Sequence, residues 1–261
     1  MERYNFPIYP NDPEEFSSWI ALGDSYAAGP GAGTPLPHEV YTTCYRTDQA
    51  YAPQLESAGT FRTGYGAPHL YFIACTGAIT SDVMSQQSPK VTSNDKILTL
   101  SIGGNNLGFS SILKSCIYGA FILGRCQTLI ANARNTLYSA QFYHDYQSML
   151  SAVTNNANFC PEKEDTQDPN NCRTVLYQTA YPSFFDDFTV LCNSISFSPV
   201  GNFAGPNLPQ ALRSQLNGLG QELNTMLNVF IDSYNGAHAV NGIDAVRFAD
   251  QVSTQLCHEK L

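Results

Sequence analysis

A chain of 261 residues, 43% hydrophobic and only 13% charged, carries ample apolar material for a large core and too little charge for a disordered segment of any length. Its formal net charge of -9 argues against nucleic acid or an anionic membrane as a standing partner. No run approaches the length of a membrane-spanning helix.

Residues 1–16 form a polar, proline-bearing extension with no clear period. The apolar run 17–22 reads as the first strand and ends in Gly23-Asp24-Ser25. Residues 26–43, rich in Gly, Pro and Thr, read as a loop, and 47–55 as a short helix. A second apolar run, 70–74, is followed by Cys75-Thr76-Gly77 and a helix start near Ser81. The third strand, 96–102, runs into Gly103-Gly104-Asn105-Asn106. Residues 127–153 carry helical propensity, 155–171 read as a stapled polar loop, and 174–179 as a fourth strand. The aromatic, turn-rich stretch 182–208 is expected to be irregular. In 209–234, Leu212, Leu216, Leu219, Leu223, Leu227 and Phe230 recur at three- and four-residue spacing, which predicts a core-facing helix. Residues 245–249 are the fifth strand. Five short apolar strands alternating with helices predict an α/β fold, a parallel sheet with helices on both faces. No repeat, linker or composition break divides residues 1–261, so one domain is expected.

The eight cysteines, Cys44, Cys75, Cys116, Cys126, Cys160, Cys172, Cys192 and Cys257, are scattered, with no Cys-x-x-Cys pair. That usage indicates disulfides rather than metal, and hence an extracellular protein. Residues 1–16 contain no signal-peptide apolar segment, so the expectation is a mature or trimmed chain.

Three strand ends carry small polar residues: Ser25 after the first, Gly77 after the second, Asn105 after the third. In a doubly wound sheet those ends lie side by side at the ligand-binding edge. A serine there can be a nucleophile, or simply the N-cap of the next helix. A glycine lets a substrate oxygen approach its N–H, and a carboxamide is a neutral donor. Together with the Ser25 N–H they would make a three-donor oxyanion hole.

The order Gly-Asp-Ser, Gly, Gly-x-Asn resembles the GDSL/SGNH hydrolase family of esterases and lipases. The blocks WIALGDSYAAGPGAG (19–33), FIACTGAIT (72–80) and LSIGGNNLGF (100–109) are similar to its first three, and VLYQTAYPSFF (175–185) to its secreted actinobacterial and fungal branch. The resemblance runs over about residues 17–258. It implies a flavodoxin-like three-layer sandwich, Ser25 as nucleophile, and an oxyanion hole of Ser25, Gly77 and Asn105. It also implies a Cys44–Cys75 disulfide. Short spacing favours Cys116–Cys126 and Cys160–Cys172, leaving Cys192–Cys257.

Two departures stand out. The third block has Asn106 where the family carries Asp. The family's closing Asp-x-x-His is missing: of His38, His69, His144, His238 and His258, only His258 follows the last strand, and Gln255 stands three residues before it. His258 is the expected base, with a backbone carbonyl near 254–256 fixing its tautomer. Asp250 is a poorer acid candidate. The aromatic residues Tyr181, Phe184, Phe185 and Phe188 read as core or as the lining of an acyl or sugar pocket. The expected activity is hydrolysis of small-molecule or lipid esters by a monomer without cofactor or metal. The alternatives are a carbohydrate acetylesterase and a secreted binding protein that kept the fold but lost catalysis.

Overall fold

The computed structural model describes residues 18–37, 43–60, 68–119, 125–157, 174–197, 206–238 and 246–249. Five strands, β1 (Ser18–Gly23), β2 (His69–Phe72), β3 (Asp95–Ser101), β4 (Val175–Thr179) and β5 (Val246–Ala249), form one sheet in the order β2-β1-β3-β4-β5. Every pairing is parallel. All five expected strands are present, within about two residues of their expected ends.

The order reverses direction between β1 and β3. From β1 the chain crosses to β2 on one side, then returns to β3 on the other. That switch point opens a crevice at the carboxyl ends of β1 and β3. It is the position into which Gly-Asp-Ser falls.

Alternation along β1 shows how the layers form. Ile20 and Leu22 face one side with Leu98, Leu100 and Leu176, while Trp19 and Ala21 face the other with Ile97. All six residues of β1 are buried, as expected for a central strand covered on both faces. Ala52, Tyr51 and Leu55 of α2 (Tyr51–Ser57) cover the Trp19 side. The other side meets α5 (Cys126–Leu137), α6 (Ala140–Ala157) and α7 (Gln210–His238). Three further short helices open at the carboxyl ends of the first three strands: α1 (Ser25–Ala28), α3 (Thr80–Asp82) and α4 (Phe109–Ile112).

The stretch expected as one helical region, 127–153, is two helices. The break falls at Tyr138-Ser139, where the Ser139 hydroxyl accepts the Phe142 N–H at 3.1 Å and starts α6 afresh. The leucine stripe of α7 is core-facing as expected: Leu216, Leu219, Leu223, Leu227 and Phe230 are buried. The helix continues to His238.

Two disulfides are formed among the described residues, Cys44–Cys75 and Cys116–Cys126. Cys192 is also disulfide-bonded. Cys160, Cys172 and Cys257 lie outside the described residues, and with them the expected Cys160–Cys172 and Cys192–Cys257 pairings.

Candidate active site

Strand β1 ends in a backbone turn that only glycine can make. Gly23 has φ +124°, and a Cβ there would lie 2.3 Å from the Ser101 carbonyl oxygen. The Gln87 carboxamide holds this peptide from the side. Its oxygen accepts the Gly23 N–H at 2.7 Å and its nitrogen donates to the Gly23 carbonyl at 2.9 Å.

The residue that caps α1 is Asp24, not the serine. Its carboxylate accepts the Tyr26 N–H at 2.9 Å. Ser25 therefore sits inside the first turn with its hydroxyl released from capping. That hydroxyl makes no hydrogen bond among the described residues. The serine-cap reading is thereby corrected, for a local reason: a carboxylate one residue earlier reaches the orphan N–H first.

The other two expected donors are brought to the same edge. Cys75 N–H donates to the Gly23 carbonyl at 2.9 Å, so the turn that carries Gly77 hangs directly from the end of β1. Gly77 is exposed at φ +87°, a Cβ there would meet nothing within 4 Å, and its N–H donates no hydrogen bond among the described residues. The Asn105 amide donates to the Ala78 carbonyl at 3.0 Å, and its second N–H is left for another acceptor. Asn106, where the family has a carboxylate, clamps Thr80: its oxygen takes the Thr80 N–H at 3.2 Å and its nitrogen donates to the Thr80 hydroxyl at 2.9 Å. The amide thus ties the third block to the second.

The expected base is not placed by this geometry. His258, like His38, Asp250 and Gln255, lies outside the described residues. His69 begins β2 and pairs with Ser18, at the amino end of β1, about 17 Å of strand away from the serine. His238 ends α7, three residues after Asn235, whose amide bonds Val246 at the amino end of β5. His144 is exposed on α6 against the Tyr143 ring. Among the described residues there is no group of three or more His, Cys, Asp or Glu able to hold a metal ion.

What sequence reasoning missed is under the serine. Asp24 is a buried carboxylate, and beyond Tyr26 it takes the Ser101 hydroxyl at 3.3 Å and the Tyr181 hydroxyl at 2.5 Å. Burial pushes its pKa up to about 6, and the Tyr181, Tyr26 and Ser101 hydrogen bonds hold it from going further. Tyr181 is buried, with its hydroxyl on Asp24, rather than a pocket wall; Phe185 is core, and Phe188 is 82% exposed.

A polar stripe on α7 holds the segment that carries these aromatic residues. Asn224 takes the Tyr181 N–H and donates to its carbonyl, each at 2.8 Å. Asn217 binds the Phe184 and Phe185 backbone in the same way. The buried Arg213 donates to the carbonyls of Asp186, Thr189 and Leu208. Each lies one residue after a leucine of the apolar stripe. That offset, 212/213, 216/217 and 223/224, was visible in the sequence and signals a second face with its own partner.

A doubly wound α/β sheet with a serine freed from capping at its switch point, and a glycine and a carboxamide on the neighbouring turns, has the form of a nucleophile-bearing α/β domain. The chain belongs to the GDSL-like Lipase/Acylhydrolase family, which it matches over residues 21–241. It is 34% identical over 119 residues to a lipase of Streptomyces rimosus, covering 45% of this chain and 40% of that protein. To Lipase 1 of Streptomyces coelicolor it is 34% identical over 105 residues, covering 40% and 36%. The chain thus matches about two-fifths of the length of these relatives. Among solved structures it is similar to phospholipase A1 of Streptomyces albidoflavus (TM-score 0.63, 23% identity, 84% of this chain and 77% of that one). It is also similar to the extracellular lipase of Streptomyces rimosus (TM-score 0.60, 21% identity, 90% and 80%). At these identities the structural likeness concerns the fold.

Proposed function

We propose that this protein is a serine ester hydrolase acting on carboxylic esters. The observation that carries the reading is Ser25 itself: a hydroxyl at the switch point, freed from capping by Asp24, with Gly77 and Asn105 on the neighbouring turns. Family membership and the lipase relatives support the same chemistry.

In this reading the Ser25 oxygen attacks the ester carbonyl carbon and its proton passes to the His258 imidazole. The carbonyl oxygen becomes an oxyanion that accepts from the Ser25 N–H, the Gly77 N–H and the second Asn105 N–H. Collapse expels the alcohol, which takes the proton back from His258. Water, deprotonated by the same imidazole, then releases the carboxylic acid and restores the serine. No step calls for a cofactor.

All five described strands share one sheet, which supports treating residues 1–261 as one catalytic unit. The disulfides support an extracellular site of action, and the net charge of -9 fits a small or lipid ester substrate better than nucleic acid. Among the described residues no helix is long and apolar enough to cross a membrane.

The test is hydrolysis of p-nitrophenyl butyrate together with labelling by a fluorophosphonate probe. Ser25→Ala should lose both while keeping the wild-type circular dichroism, and His258→Ala should lose turnover. A folded Ser25→Ala that turns over at the wild-type rate overturns the proposal.

A further inference from the structure

The two halves of the candidate site, the serine and the Asn105 amide, stand on different strands, and the residues just before them share one partner. Asp24 precedes Ser25, and Gly104 precedes Asn105. The Tyr181 phenol oxygen accepts the Gly104 N–H at 3.0 Å and donates to the Asp24 carboxylate at 2.5 Å. One oxygen therefore spans from the end of β1 to the end of β3.

The surroundings leave that oxygen little freedom. Asn224 grips the Tyr181 backbone on both its N–H and its carbonyl. Tyr26 and Phe109 pack edge-on against the ring, at centroid distances of 4.7 and 6.1 Å. The backbone of Gly104 lies close under the same rings: a Cβ there would stand 3.1 Å from Phe109 and 3.2 Å from Tyr181, so a side chain would press the rings aside by a few tenths of an ångström. On its other side the Asp24 carboxylate holds the Tyr26 N–H, the peptide just after the serine. The path from α7 to the nucleophile is thus continuous: Asn224, the Tyr181 backbone, its hydroxyl, Asp24, and the first turn of α1.

We propose that Tyr181 is a positioning residue, whose hydroxyl sets the separation of Ser25 from the Asn105 donor by binding Asp24 and the Gly104 N–H at once. The inference rests on the ester-hydrolase reading of Ser25 and Asn105. Its physical basis is that oxyanion donors act only over a few tenths of an ångström, and a shift of about 1 Å can cost about 10²-fold in rate. Removing the hydroxyl leaves two buried polar groups, the Gly104 N–H and one carboxylate oxygen, without their partner. They can recover only by moving, and each moves one catalytic group.

The bridge is strongest with Asp24 ionised, because Tyr26 and Ser101 use one carboxylate oxygen and Tyr181 the other, and protonation turns one of these acceptors into a donor. The titratable groups that bear on Asp24 are Tyr181, Tyr26 of α1 and Tyr51 of α2, and burial holds all three phenols neutral. The Tyr181 hydrogen bond lowers the Asp24 pKa, so its loss moves that titration to higher pH.

The experiment measures kcat, KM and the pH-rate profile of p-nitrophenyl butyrate hydrolysis for Tyr181→Phe, beside Tyr146→Phe. Tyr146 is an equally buried tyrosine whose hydroxyl bonds Gln178, away from the serine. Tyr181→Phe should lose about 10- to 100-fold in kcat at unchanged KM, and its acid limb should move to higher pH. Tyr146→Phe should keep the wild-type kcat and profile although it loses a buried hydrogen bond too. Asp24→Asn, which retains an acceptor for the Tyr26 N–H, should lower kcat and remove the limb that Asp24 contributes. If Tyr181→Phe does not fold, the limb of Asp24→Asn decides alone. Wild-type kcat and acid limb in Tyr181→Phe, or losses equal to those of Tyr146→Phe, overturn the inference while Ser25→Ala remains inactive. Activity in Ser25→Ala overturns both readings together.

Discussion

Asp24 is the place where this site and the stability of the fold pull in opposite directions, and Asp24→Asn measures the conflict. In the unfolded chain this carboxyl titrates near 3.8; in the native protein burial raises it to about 6. Between those values the native state holds a proton that the unfolded chain has lost. The group's contribution is therefore fully present below pH 3.8 and is lost as pH rises through about 6. At 1.36 kcal/mol per decade, moving from 3.8 to about 6 corresponds to about 3 kcal/mol. An asparagine at this position does not titrate, whereas every other carboxyl is common to both proteins. The difference in unfolding free energy, variant minus wild type, should therefore rise by about 3 kcal/mol between pH 3 and pH 8. Its absolute value at either pH also contains the altered hydrogen bond to Tyr181, of about 1–3 kcal/mol, which the comparison across pH removes. Urea unfolding of both proteins with their disulfides intact gives the number. A difference that stays constant across this range, or falls, would refute the account of Asp24 as a carboxylate held charged at a cost in its buried place.

Asn105→Ala should lower kcat by about 10²–10³ with little change in KM, since the donor acts on charge that develops only in the transition state. A loss confined to KM would make Asn105 a substrate-binding residue instead. Gly23→Ala should fail to give a cooperatively folded protein, because its Cβ would lie 2.3 Å from the Ser101 oxygen and 2.7 Å from the Ser101 nitrogen. A cooperative thermal transition close to that of the wild type would show that β1 can shift away from β3.

The elements that were legible before the structure are those whose physics is local. Alternation and apolar runs located β1 to β5, and the leucine spacing of α7 predicted its buried face. The two-part helix 126–157 was not separated, because Ser139 caps only once the chain has turned there, and its neighbours have no strong breaker. The three polar blocks could be seen to follow strands. Their convergence depended on the sheet order, which pairing between distant segments decides and no window of sequence contains.

The sequence by itself marked the residues proposed to carry the chemistry: Ser25, Gly77 and Asn105, each a small or polar residue just beyond an apolar strand. It also determined the Gly23 turn, since only a residue without a Cβ fits there. The tertiary structure decided the state of those groups. Asp24, not Ser25, caps α1; Tyr181, 157 residues away, binds Asp24; and Asn224, on the helix beyond, holds Tyr181. The reason is that a hydroxyl or carboxylate declares its type in the sequence, whereas its charge, partner and freedom depend on what burial brings against it. Burial is a property of the packed layers, assembled from segments that the chain keeps far apart.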